Sequence, residues 1–288
     1  MRLSSLLLPA AALSLLAACG DATPASDAST VTTTTVVGAL PKPQVKIPAT
    51  TPTKLVVTDL TEGTGAAAAD GDTVVVHYIG VRSADGTEFD NNFDSGAPLS
   101  VSLGAGQVIK GWDQGLVGVK PDGRRQLDIP ADLAYGDSPQ GDIIQKGDAL
   151  TFVIDVVTVI PKADPAKAPV VSIPPSPNQT TGSSTDLIVG DGAAIQSGQT
   201  VAIQMEAFSA ADGSQIDSTW TSGAPLTFVP GAGQFIPGLE KAVDGMKVGG
   251  RRQVQIPFAD AFGADGSSDL GLPPSTDLIV VIDLVAVY

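Results

Sequence analysis

Three stretches of this chain carry β-branched residues at strand density, with Gly, Asp or Pro at their ends. They are "DTVVVHYIGV" (72–81), "RRQLDIP" (124–130) and "ALTFVIDVVTV" (149–159). That pattern predicts strands. The "ADGTEF" that follows the first run carries an Asp-Gly turn signal and predicts a tight reversal. One stretch reads differently. In "IKGWDQGLVG", Trp112, Leu116 and Val117 recur at helical spacing, which predicts one short helix.

The pattern then repeats. From Val57 the chain matches itself from Ser184 at an offset of 127. Residues 95–130 and 222–257 agree at 19 of 36 positions, including "SGAPL", "GAGQ" and "GRRQ". Unrelated segments would agree at roughly two. Units of about 105 residues are too long for a solenoid repeat, so the chain is read as a duplicated domain. The expected architecture is α+β: an antiparallel sheet packed on one short helix, built twice. The "GRRQ" pairs, Arg124-Arg125 and Arg251-Arg252, are read as solvated charge at a hairpin exit.

The rest of the chain frames these units. Residues 1–18 have one Arg, an uncharged apolar run and small residues at the end, which predicts a cleaved export signal. The run ends Leu16-Ala17-Ala18-Cys19, similar to the bacterial lipobox, so Cys19 is the expected lipidation site. It is the only cysteine, and no intramolecular disulfide can form. Residues 19–54, rich in Thr, Ala and Pro, are expected to be a disordered tether. The first domain is expected over 55–160, a stiff Pro-rich linker over 161–184, and the second domain over 185–288. Net charge is −15, which argues against nucleic acid and against a basic lipid-binding patch. The expected location is extracytoplasmic, with the lipid anchor as the only membrane contact. The single histidine, His77, has no partners for a triad or a metal site and is read as a sheet-face residue.

Five runs, "VVVHYIG", "DGTEFD", "GQVIKGWDQGL", "AYG" and "LTFVIDV", stand in one order without gaps from Tyr78 through Phe152. In them the first unit resembles the FK506-binding-protein type of peptidyl-prolyl cis-trans isomerase (FKBP). The resemblance implies two tandem FKBP-like domains, each a sheet wrapped around one short helix. It also implies a site: Trp112 as floor under a proline ring, with Tyr78, Phe89 and Phe152 as aromatic walls. Asp90 sets the polarity near the amide, and Tyr135 offers a hydroxyl. Val108 and Ile109 fill the side of the floor, and Ile144 offers its backbone N–H. Leu99 lines the substrate side where the family often has an aromatic. Ser95 stands where the best-studied members have an Arg that pairs with the pocket Asp.

That chemistry requires no cofactor and no metal. Implied partners are proline-containing exported polypeptides and macrolides of the rapamycin or tacrolimus type, bound by a monomer. In the second unit the corresponding residues are Met205, Ile216, Leu239, Phe262 and Val280, with Asp217 retained. That unit is therefore expected to be a degenerate copy.

Overall fold

The structure is a computed structural model that describes residues 41–288. Cys19, the export signal and the first part of the expected tether lie outside the described residues.

Each unit is one six-stranded antiparallel sheet. In the first, β1 (Val56–Thr61), β5 (Arg124–Ile129), β6 (Leu150–Ile160), β2 (Thr73–Arg82) and β3 (Glu88–Asn91) lie side by side in that order. β4 (Leu99–Ser102) also pairs with β2, beyond the end of β3. The three strands read from the β-branched runs are β2, β5 and β6. The second unit repeats the order with β7 (Ser183–Ile188), β11 (Arg251–Ile256), β12 (Leu278–Val287), β8 (Val201–Ser209) and β10 (Leu226–Phe228). There β9 (Gln215–Ser218) pairs with β8. This is the tandem FKBP-like α+β fold expected.

Period-two alternation gives each sheet two faces. Val74, Val76 and Tyr78 of β2 face the core of the first unit with Leu127, Ile129, Phe152 and Ile154. Against this face lies the short helix α1 (Lys110–Gly115). It packs closely because Gly111 and Gly115 present no side chain. A Cβ on Gly115 would stand 2.7 Å from Leu127 Cδ2, and one on Gly111 would meet Ile129. Leu116 is fully buried, but Val117 is exposed. The helix is thus shorter than its spacing suggested, and Val119 takes the third core position. In the second unit α2 (Thr219–Ser222) is a single turn after β9. The helix α3 (Pro237–Ala242) holds the place of α1, with Pro237 in its first turn.

The outer faces of both sheets are covered by the Pro-rich segments. Val45 packs on Ile79, Val81, Phe93 and Val153. Gln126 Nε2 donates to Lys46 O at 2.9 Å, and Lys42 Nζ pairs with Glu88 and Asp94 at 2.9 and 2.7 Å. Residues 41–47, expected to be tether, therefore form a strap on the first domain. The linker does the same for the second: Val171 and Ile173 pack on Phe208, Ala210, Ile279 and Val281, and Gln255 Nε2 donates to Pro177 O at 3.0 Å. With both faces covered, all nine residues of β8 are buried. Proline lacks the N–H needed to add a strand, so these segments lie across the sheets instead of extending them.

The "GRRQ" arginines correct the reading of solvated charge. Arg125 is only 8% exposed. Its Nε and Nη2 donate to Asp59 at 2.6 and 3.0 Å. Its Nη1 donates to Gly115 O and Val117 O at 2.8 and 3.0 Å, closing the end of α1. Arg252 repeats the clamp on Asp186, Ala242 O and Asp244 O. Arg124 and Arg251 each bond both oxygens of an aspartate on the next strand, Asp155 and Asp283. The two units touch through Val75 and Ile160 of the first and Ala202 and Ala286 of the second.

Candidate functional site

The core face of β2 and β6 brings the expected aromatics together over α1. Trp112, the second residue after the start of α1, is 3% exposed. Its ring meets those of Tyr78 and Phe152 edge-to-face, each at 5.2 Å between centroids. Phe89 meets Phe152 edge-to-face at 5.5 Å, and Tyr78 lies 6.5 Å from Phe152. Such edge-to-face arrangements suit the ring quadrupoles and hold the rings in place. Val108, Ile109 and Ile144 pack in the same cluster.

Polar groups stand at its margin. The Tyr78 hydroxyl donates to Asp90 Oδ2 at 2.6 Å. Burial pushes the Tyr78 phenol well above its ordinary range, and the bond to Asp90 adds to this. Tyr135 is 37% exposed. Its phenol is also pushed up, by burial first and then by the Asp90 charge. Both hydroxyls therefore keep their protons and remain donors at neutral pH. Ser95 does not reach Asp90; its hydroxyl donates to Asn92 O at 3.1 Å.

Two expected residues sit differently. Leu99, on β4, is exposed and stands outside the aromatic cluster. The Ile144 N–H, expected to be free for a substrate, already donates to Gln140 O, at a long 3.3 Å. Leu133 and Ala134 join the cluster without having been singled out.

Gly80 was also missed. A Cβ there would stand 2.7 Å from Phe89 Cζ and 2.7 Å from Phe152 Cε1. The two walls can meet at this point only over a glycine. Its signal was in the repeat, where Ala207 replaces Gly80 in the unit that also lacks both phenylalanines.

His77 lies on the opposite face of the sheet, its ring 5.7 Å from that of Phe93. No group of three or more His, Cys, Asp or Glu that could hold a metal occurs among the described residues.

A family model described as FKBP-type peptidyl-prolyl cis-trans isomerase matches residues 65–157 and again 192–285, together more than half the chain. The chain belongs to the FKBP-type peptidyl-prolyl cis-trans isomerases. It is 51% identical over 120 residues to the FK506-binding protein of Streptomyces anulatus, covering 41% of this chain and 97% of that protein. It is 31% identical over 216 residues to human peptidyl-prolyl cis-trans isomerase FKBP10. That match covers 75% of this chain and 34% of the human protein, so this chain spans about a third of its length. The crystal structure of FkpA from Escherichia coli superposes with TM-score 0.34 at 41% identity, covering 36% of this chain and 47% of that one.

The second FKBP unit fills the same place with aliphatic side chains. Met205, Leu239, Leu272 and Val280 are buried together, with Ile216 and Phe262 packed against them. Phe228 and Phe235 replace Val101 and Val108 and meet edge-to-face, 5.4 Å between centroids. Bulk has moved from the floor and walls to the flank. Asp217 keeps its position but has lost its donor. Its Oδ1 accepts from Ser218 N at 2.7 Å, while Oδ2 has no partner, because Met205 carries no hydroxyl. Burial accordingly pushes the Asp217 carboxyl up.

Proposed function

We propose that the protein isomerises X-Pro bonds of exported polypeptides, with catalysis in the first unit alone. The observation that carries this reading is the meeting of Trp112, Tyr78, Phe89 and Phe152 in one cluster, against four aliphatic residues at the same positions of the second unit.

Resonance holds the X-Pro bond behind a barrier of about 18–20 kcal/mol. Uncatalysed exchange takes tens of seconds or longer. Rotation makes and breaks no covalent bond, so the residues need only favour the twisted amide over the planar one. Trp112 is the floor for the proline ring, and Tyr78, Phe89 and Phe152 exclude water around it. Desolvation weakens the charge-separated resonance form and lowers the barrier. The Tyr135 hydroxyl is the donor nearest to water and the one we assign to the substrate carbonyl. The Tyr78–Asp90 bond fixes the carboxylate beside the twisting amide. The Ile144 N–H is the second donor, released from its long bond to Gln140 when substrate docks. Leu99 forms an outer lip for neighbouring substrate residues. The same hollow accepts macrolides of the rapamycin or tacrolimus type, and the protein acts as a monomer.

The location rests on the sequence pattern before Cys19. Lipidation there would hold the protein on the outer side of a bacterial membrane. Mass spectrometry should find a diacylglyceryl adduct on Cys19, and Cys19→Ala should release the protein from membranes. A wild-type chain that is membrane-bound with Cys19 unmodified would overturn the anchor. Activity is tested with a proline isomerisation assay on the full chain and its Trp112→Leu variant. The variant should lose most of the rate. Equal rates would leave the second reading: a non-catalytic module that holds clients, which the intact fold of the aliphatic unit favours.

A further inference from the structure

Between the linker and the outer face of the second sheet lies a cavity of about 330 Å³. None of its lining residues belongs to the aromatic cluster of the first unit, and Gln204 lies on the face of β8 opposite Met205 of the aliphatic cluster. Apolar surface predominates in its walls, from Pro161 and Ala163 of the linker and Val248, Leu284 and Val285 of the second unit, with Lys162 and Lys167 of the linker also lining it.

Two polar side chains line it without partners. Gln204, on β8, is 2% exposed, and neither its Oε1 nor its Nε2 makes a hydrogen bond among the described residues. Trp220, on α2, is buried, and its indole Nε1 is likewise unpartnered. Buried polar groups are nearly always paired, and a carboxamide unpaired at both ends is a conspicuous exception. Neighbouring charges do not rescue it. Asp283 stands opposite Gln204 in the β8–β12 register, but both its oxygens are taken by Arg251 at 2.5 and 2.6 Å. The Asp164 carboxylate is turned back to Ala166 N at 3.0 Å.

The duplicated unit shows that the fold does not require this pair. At the same two positions the first unit has His77, with one buried unpartnered nitrogen, Nδ1, where Gln204 has two unpartnered atoms, and Phe93, which has no polar atom and on which the strap packs directly. The second unit instead places a donor–acceptor carboxamide and an indole donor in an apolar recess.

That donor set matches one common chemistry. A carboxamide presents N–H and C=O in one plane, the complement of a peptide group, and an indole N–H supplies a donor for a neighbouring carbonyl. The apolar walls suit small aliphatic side chains. We propose that this cavity is a second polypeptide-binding site, where Gln204 and Trp220 hydrogen-bond the main chain of a short, extended apolar segment of a client. Recognition here needs no proline, so the site would hold a chain while the first unit works on it.

The two tryptophans make the test direct, because each contributes one indole N–H signal. The full chain, labelled with ¹⁵N, is titrated with acetyl-Ala-Val-Ala-N-methylamide, and Trp220→Phe assigns the signals. The Trp220 indole proton should move downfield and saturate while that of Trp112 stays in place. Gln204→Leu should weaken the dissociation constant at least tenfold. A Trp220 signal that does not move up to millimolar peptide would overturn the proposal and leave water as the partner. So would an unchanged dissociation constant in a folded Gln204→Leu chain. If that variant does not fold, the wild-type titration decides alone. Movement of Trp112 only would sink this site while leaving the isomerase reading intact.

Discussion

Replacing Arg125 by Met should destabilise the first unit severely, although Arg125 touches no substrate. The side chain is only 9% exposed and makes four hydrogen bonds. Two go to Asp59, whose carboxylate is half exposed, so that half of the clamp is screened and is worth about 1 kcal/mol. The other two satisfy Gly115 O, which is buried, and Val117 O, which is only partly so, at the end of α1; a buried carbonyl left unpaired costs roughly 1–3 kcal/mol. Methionine fills most of the volume but offers no donor. The expected loss is about 3 kcal/mol, or on the order of 10–20 °C in Tm for a domain of this size. Urea unfolding of the full chain, followed by Trp112 fluorescence in a Trp220→Phe background, reads it. Asp59→Ala should cost about 1 kcal/mol in the same assay. The Asp59 carboxyl is held below its ordinary range, first by its bonds to Arg125. A depressed carboxyl stabilises the fold above its unfolded pKa of about 4 and loses that contribution as pH falls through the lower folded value. The Asp59→Ala deficit should therefore shrink in acid. A cost for Arg125→Met no larger than that for Asp59→Ala would refute the assignment of the helix-end bonds.

Gly80→Ala should lower kcat/KM by about 10²-fold while the domain stays folded, since its Cβ would push Phe89 and Phe152 out of position. A rate within about twofold of wild type would show that the walls yield freely. Asp217→Asn should be neutral or stabilising at pH 7. Burial raises the Asp217 carboxyl, so its charged form opposes folding once pH passes the unfolded pKa. The difference should vanish near pH 3, and a destabilised Asn variant at pH 7 would contradict this. In a Trp112→Leu background, Met205→Tyr with Leu239→Trp should restore measurable isomerisation, at a stability cost of about 1–3 kcal/mol from overpacking. No gain over the Trp112→Leu parent would mean that lost aromatics are not what silences the second unit.

The strands and the aromatic set were legible because each depends on residue type at short spacing. β2, β5 and β6 follow from β-branched runs bounded by Gly, Asp or Pro, and the gap-free register of the family runs placed Tyr78, Trp112 and Phe152. Long-range roles were not legible. Arg125 looked solvated because Asp59 lies 66 residues away and the carbonyls it caps become orphans only once α1 has formed. Gly80 could be understood only through the two rings that meet over it. The straps were hidden for a different reason: proline-rich composition without a period reads as open chain, yet one or two apolar residues, Val45 or Val171 and Ile173, are enough to seat each segment.

The first of those straps has a mechanical consequence. A pull applied from the N-terminal side reaches the described residues through 41–47. Tension would be borne first by the Lys42 ion pairs and the Gln126–Lys46 bond, in series ahead of β1. Peeling the strap would uncover Ile79 and Phe93 on the outer face of the sheet, the face opposite the aromatic cluster.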